Sequence, residues 1–215
     1  MITVPQIVEN IIKNSPILSD NFEEGLVNYS SLARKLQPEI EQKLFKKVTV
    51  GSIVMALKRL KIHSPQTNHL NEALSKVTDL SLRSNLVSLS YANSPTLFQN
   101  QSLLLEAASK TPNSFLTISN GIHETSIFIS KNLLVEAEKI FKNEAVKLKV
   151  ADLSSITLIL PPEAINTPGI HFSVFKRLFS NGVNVFETAT SFTELTLFLK
   201  PEDTEKAFAV LKKLS

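Results

Sequence analysis

Apolar residues along the chain follow two different periods, and the change between them divides the sequence. Near the start, Ile2, Val4, Ile7, Val8, Ile11 and Ile12 recur at the spacing of one helix face. Thr3 ahead of Pro5 supplies a start signal. Gly25 interrupts, and Asn28 or Ser30 can cap a second helix carrying Leu32, Ala33 and Leu36. Pro38 opens a further turn through Leu44. Thr49 then caps a helix whose apolar stripe is Val50, Ile53, Val54, Leu57 and Leu60. Residues 1–63 therefore read as a small helical domain, and the polar, Pro65-containing stretch 64–77 as a linker with a short helix around His69–Ser75.

After Val77 the period becomes two. Leu80 and Leu82, then Val87, Leu89 and Tyr91, alternate with polar residues as a half-buried strand does. The predicted order is strand 86–91, helix 96–109, strands 115–119 and 124–130, helix 131–142 and strand 145–150. It then begins again with strand 155–160, helix 169–180, strands 183–190 and 193–199 and helix 201–213. The residues repeat as well. Glu124-Thr-Ser-Ile-Phe-Ile129 lines up with Glu194-Leu-Thr-Leu-Phe-Leu199 at an offset of 70, and Asn113-Ser-Phe115 with Asn184-Val-Phe186 at 71. Two β-α-β-β-α-β cycles predict an α+β fold: a helical, winged-helix-like N-terminal domain followed by two ferredoxin-like units, 78–150 and 151–215. Phe98, Phe115, Phe128, Phe172, Phe175, Phe186 and Phe198 are expected in cores or in the interfaces such units form.

The second cycle carries a denser pattern. Thr167-Pro-Gly169 opens a helix with Val174-Phe175 at its centre, Gly182-Val-Asn-Val185 leads into the next strand, and Thr190-Ser191 joins that strand to its neighbour. In this it resembles an ACT domain, and more narrowly the tandem ACT regulatory region of aspartate kinases. The first cycle is similar more loosely, since Asn93-Ser-Pro-Thr96 lacks the glycine. The resemblance implies pairing of two copies through ACT units and an amino-acid effector held by Asn166, Thr167, Gly169, Ile170, Asn184 and Val185. Physical chemistry supports the loop independently. Gly169 lets the backbone approach a ligand, and the free N–H groups of a helix start suit a carboxylate. Turn chemistry alone also accounts for Pro168-Gly169 and Asn181-Gly182. No chain remains after Ser215 for the last strand of the second unit, so residues 78–83 are expected to close its sheet, as happens in the aspartate kinases it resembles.

Ser31-Leu-Ala-Arg-Lys-Leu36 followed by Val48–Leu60 is similar to a helix-turn-helix, with eleven residues, 37–47, between the helices. That likeness implies Thr49, Ser52, Met55 and Arg59 in a DNA groove and Lys46, Lys47 and Lys58 on phosphates. Residues 78–91 could then act as a wing, in competition with strand donation. Charge sharpens the picture. Residues 1–63 hold 9 of the 23 Lys and Arg and 6 of the 20 Asp and Glu, so the net +3 lies entirely there. A basic bundle without a nucleic-acid role fits the same numbers. The alternative to a transcriptional regulator is an allosteric regulatory subunit that docks on an amino-acid biosynthetic enzyme.

Composition mainly excludes. With no Cys there is no disulfide and no thiolate chemistry. His63, His69, His123 and His171 have no metal-site spacing. Neither a Gly-rich phosphate loop nor GxGxxG is present, so no kinase or dehydrogenase activity, no other catalysis and no cofactor is expected. The start lacks a basic secretory n-region, and apolar runs are only strand-length, which predicts a cytoplasmic protein without membrane contact.

Overall fold

The computed structural model describes residues 2–23, 25–60, 70, 72–77 and 79–214. The chain divides into two compact units, Met1–Pro65 and Gln66–Ser215.

The first unit is helical. Helix α1 spans Val4–Lys13, α2 Pro16–Glu23, α3 Tyr29–Leu44 and α4 Val50–Arg59. Asn28 caps α3 by accepting from Ser31 N–H at 3.0 Å, and Thr49 caps α4 by accepting from Ser52 N–H at 3.2 Å. Pro38 does not open a separate turn. It lies inside α3, which runs through it for 16 residues and ends at Phe45, whose φ is 53°. An exposed proline ring can be carried by a helix whose other residues pack, at the loss of one backbone hydrogen bond. The connection to α4 is consequently residues 45–49, far shorter than the predicted eleven. It is pinned from α3: Gln37 Nε2 donates to Val48 O at 2.8 Å, and Glu41 Oε1 accepts from Val48 N–H at 3.0 Å. Ile7, Val8, Ile12, Ala33, Leu36, Ile53 and Leu57, all from the predicted stripes, form the core together with Ile40 and Ala56, whereas Ile2 of the first stripe is exposed.

The second unit is built on one antiparallel six-stranded sheet of order β2-β3-β1-β4-β6-β5. Its strands are β1 Leu80–Ala92, β2 Leu116–Asn120, β3 Glu124–Ser130, β4 Val146–Ile159, β5 Glu187–Thr190 and β6 Glu194–Leu199. Helices α5 Leu97–Lys110, α6 Leu134–Ile140, α7 Ile170–Ser180 and α8 Pro201–Leu211 pack on it. This is a mixed α/β architecture of the ferredoxin-like kind. Strand alternation sorts the side chains. Val87, Leu89, Tyr91, Ile127 and Ile129 meet α5 and α6 through Leu97, Leu104 and Ala137. Ile156, Leu158, Leu195, Leu197 and Leu199 meet α7 and α8 through Ile170, Val174, Leu178, Ala207 and Leu211.

Residues pointing the other way form a separate cluster of Leu86, Phe128, Leu153 and Phe198, with Phe115 and Phe186 packed against it. Phe128 and Phe198, one repeat apart in sequence, stack with centroids 3.6 Å apart and planes at 10°. Phe115 meets Phe198 edge-on at 6.2 Å and Phe186 meets Phe128 edge-on at 6.5 Å, so the contacts obey the same internal repeat. Phe98, Phe172 and Phe175 lie outside these clusters and are exposed.

Four expectations are corrected here. First, the boundary at 150–151 falls inside β4, because the two halves share both long strands. Residues 86–92 of β1 pair with β3, whereas Leu80, Ser81, Leu82 and Arg83 pair with Leu158, Thr157, Ile156 and Ser155 of β4. Residues 80–83 thus close the second half of the sheet, at the edge away from β5; Thr78 lies outside the described residues. Second, the same pairing leaves no wing, since residues 80–92 are a single strand within the sheet. Third, the supposed linker reaches the core: a helical turn over 72–75 places Ala73 and Leu74 there, followed by Val77. Its apolar residues Leu70, Ala73, Leu74 and Val77 stand at helical spacing, a signal masked by polar neighbours. Fourth, strand 183–190 shortens to β5, with Val183 buried ahead of it and Phe186 N–H bonding to Phe198 O at 2.8 Å.

Asn85 and Asp152 have φ of 60° and 58°, where the long strands shift register around the pair Leu86 and Leu153. Each is a bulge, and Asn and Asp accept a left-handed backbone more readily than other side-chain-bearing residues. Among the described residues no helix is long and apolar enough to cross a membrane. No group of three or more His, Asp or Glu among them could hold a metal ion; His63 and His69 lie outside them.

Candidate effector site

After β4 the chain makes a short 3-10 turn, Pro162–Asn166, before α7 begins. Pro162 starts it with a fixed φ. Thr167 then holds the loop against this turn, donating its hydroxyl to Glu163 O at 2.9 Å and its N–H to Ala164 O at 3.1 Å. Gly169 reverses the chain into α7 with φ of 93°, a conformation for which glycine is suited. A Cβ there would also stand 3.4 Å from Leu70 Cδ2, so the loop is covered by the segment ahead of β1.

Between that segment and the loop lies a cleft of about 700 Å³, lined by Glu72, Ala73, Lys76, Glu163, Asn166, Thr167 and Pro168. Lys76 Nζ is 2.9 Å from Glu72 Oε1 and 3.9 Å from Glu163 Oε1. The hydrogen bond and attraction of Glu72, then the attraction of Glu163, hold its ammonium group above the ordinary lysine range. The cleft therefore offers a cation and two carboxylates close together, the complement of a zwitterion. These exposed pairs are weak and exchangeable, which leaves them open to a competing ligand.

The structure brings only part of the expected pocket together. Asn166 and Thr167 line the cleft. Gly169 shapes its loop and touches Leu70. Ile170 is 1% exposed in the core, so its side chain has no access to a ligand. Asn184 is exposed and Val185 half-buried in the segment before β5, and neither lines the cleft. Sequence reasoning missed Glu72, Lys76 and Glu163. The available signal is the Glu72–Lys76 spacing of four, which sets the two side chains side by side on a helical turn.

In the first unit, Lys46 and Lys47 are exposed in the 45–49 connection, and Ser52, Met55, Lys58 and Arg59 on the outer side of α4. Thr49 is exposed at its start, and its oxygens are engaged locally: besides its cap, its carbonyl accepts from Ser52 Oγ at 2.7 Å. No Asp or Glu occurs between residues 45 and 59.

With this geometry in hand, the fold can be set beside known structures. Similar ones include a regulatory subunit of aspartate kinase and aspartate kinases. The ligand-free regulatory subunit of aspartate kinase from Thermus thermophilus superposes with a TM-score of 0.52 at 16% identity, over 64% of this chain and 97% of its own. Aspartate kinase from Clostridium acetobutylicum gives 0.55 at 16%, over 65% of this chain and 34% of that one. The enzyme from Synechocystis gives 0.51 at 19%, over 72% and 28%. At these identities the likeness concerns the fold. No protein-family model matches the chain, and no curated protein matches it in sequence.

Proposed function

We propose that this protein is a non-catalytic, amino-acid-responsive regulator: an allosteric regulatory subunit whose two shared-strand halves are ACT-like units and which acts on a biosynthetic enzyme. The observation that carries this is the charged cleft beside the Thr167-Pro168-Gly169 loop, set in a fold like that of a free-standing aspartate kinase regulatory subunit. In it an amino acid's carboxylate would meet Lys76 and the start of α7, and its ammonium group Glu163 or Glu72. Pairing of two copies through the sheet edges β2 or β5 would couple the cleft to a partner.

The test is thermal unfolding of the full chain against the twenty amino acids. One of them at about a hundred times its dissociation constant should stabilise by about 2.7 kcal/mol, a rise of roughly 5–10 °C. The rise should vanish in Glu163→Gln and Lys76→Gln, both surface changes that leave the core intact. No saturable rise with any amino acid would sink the reading.

A second reading has its own observation. The acid-free run 45–59, exposed along α4, suits an anionic partner, and DNA is the one its helix-turn-helix likeness implies.

A further inference from the structure

The first half of the sheet holds a carboxylate of its own where the second half has an open cleft. Glu144 stands between α6 and β4, its N–H bonded to Phe141 O at 2.9 Å, and the residue is 9% exposed. Its side chain leaves that turn for the loop ahead of α5. There Oε2 accepts from Ser94 Oγ at 2.6 Å, and Oε1 accepts from Thr96 Oγ1 and Asn100 Nδ2, both at 2.7 Å. Ser94 Oγ in turn accepts from Leu97 N–H at 3.1 Å, which ties the carboxylate to the first turn of α5. The donors come from the distant 94–100 segment, and hydrogen bonds to an ionised acceptor are the strong ones. They hold the Glu144 carboxyl below the ordinary range, Ser94 most and then Thr96.

Set against the repeat, the two loops differ in the residues that matter. Asn93-Ser94-Pro95-Thr96 aligns with Asn166-Thr167-Pro168-Gly169. In the second loop Thr167 turns its hydroxyl to Glu163 O, and Gly169 has no side chain to donate. The residue 70 positions after Glu144 is Leu214, 6% exposed in the apolar core. The second half therefore supplies no equivalent carboxylate from that turn.

We infer that the loop ahead of α5 is a carboxylate-binding site filled in cis by Glu144, and that a carboxylate-bearing effector enters this chain only at the second loop, one per chain. The occupancy of the first loop stands on its own hydrogen bonds, whereas the count of one per chain rests on the effector reading above.

Chemical rescue tests it on the full chain. Glu144→Ala should lower the thermal midpoint by roughly 3–8 °C, the loss of two or three charge-assisted hydrogen bonds. Sodium acetate should then raise that variant's midpoint saturably, beyond sodium chloride at the same ionic strength. Acetate should move wild type and the Glu144→Ala, Ser94→Ala, Thr96→Val triple variant much less, since neither offers it the emptied first loop with its donors. No acetate-specific rise in Glu144→Ala, or an equal rise in wild type, overturns the inference. Should Glu144→Ala not fold, Glu144→Gln keeps the packing and must still lose several degrees; an unchanged midpoint overturns it equally. Calorimetry on wild type with the stabilising amino acid should give one site per chain, and two would refute the cis occupancy. Absence of any amino-acid binding counts against the effector reading alone, because acetate rescue does not depend on it.

Discussion

Carboxyls held low and carboxyls held high respond to acid in opposite directions, and Glu144 and Glu187 form such a pair. Glu144 is held low by hydroxyl donors, whereas Glu187 is held high, by burial first and then by the charge of Glu124. Glu144 contributes stability that is present above its unfolded pKa and is lost as pH falls through its lowered folded value. Glu187 acts the other way, weakening the fold as pH rises through the carboxylate range. The midpoint difference between wild type and Glu144→Gln isolates the first effect, since Glu187 is common to both. That difference should be constant near neutrality and close toward zero as pH drops below the ordinary carboxylate range; a difference independent of pH down to acid would refute it. Nothing in the sequence marked Glu144, because its donors lie 44 to 50 residues away and only the folded sheet brings them together. The glycine of the second loop was legible for the opposite reason: its left-handed backbone is a local requirement.

At the level of elements, what could be read depended on the period. The α4 stripe and the alternation of β3 and β6 are dense and local, so they stand where the spacing put them. The short helix expected around His69–Ser75 is present as a turn over 72–75, but its burial in the core was not legible, because a single turn offers only a few apolar positions among polar ones. Strand β5 ended up short because Val183 and Val185 serve the core instead of the ladder. Helix α4 carries the nucleic-acid prediction. Lys46, Lys47 and Lys58 would neutralise about three phosphates, which gives a slope of about −2.7 in log affinity against log salt. Binding of duplex DNA, followed by anisotropy, should then weaken about 40-fold between about 50 and 200 mM salt. Absence of binding at the lower salt would leave α4 as a solvated basic face.

For the whole molecule, the repeat was visible in sequence as matched hexapeptides and an offset, yet its physical meaning was not. Equivalent phenylalanines do not sit in separate cores; Phe128 and Phe198 stack on each other, and their edge-on partners cross between halves. A double-mutant cycle on Phe128→Leu and Phe198→Leu should give a coupling of about 0.5–1.5 kcal/mol by denaturant unfolding. The single variants and the double should each unfold in one transition for the 66–215 unit, as expected where both halves share β1 and β4. Additive effects, or two separated transitions within that unit, would mean that the halves are independent.

The sharing of β1 and β4 also sets a timetable for synthesis. Leu80–Arg83 leaves the ribosome well before its partners Ser155–Leu158 exist. At 5–20 residues per second that wait is roughly 4–15 s. Through it the nascent chain carries a strand end with bare backbone donors and acceptors, and Ser81 and Arg83 are its polar guard against pairing with a neighbouring chain.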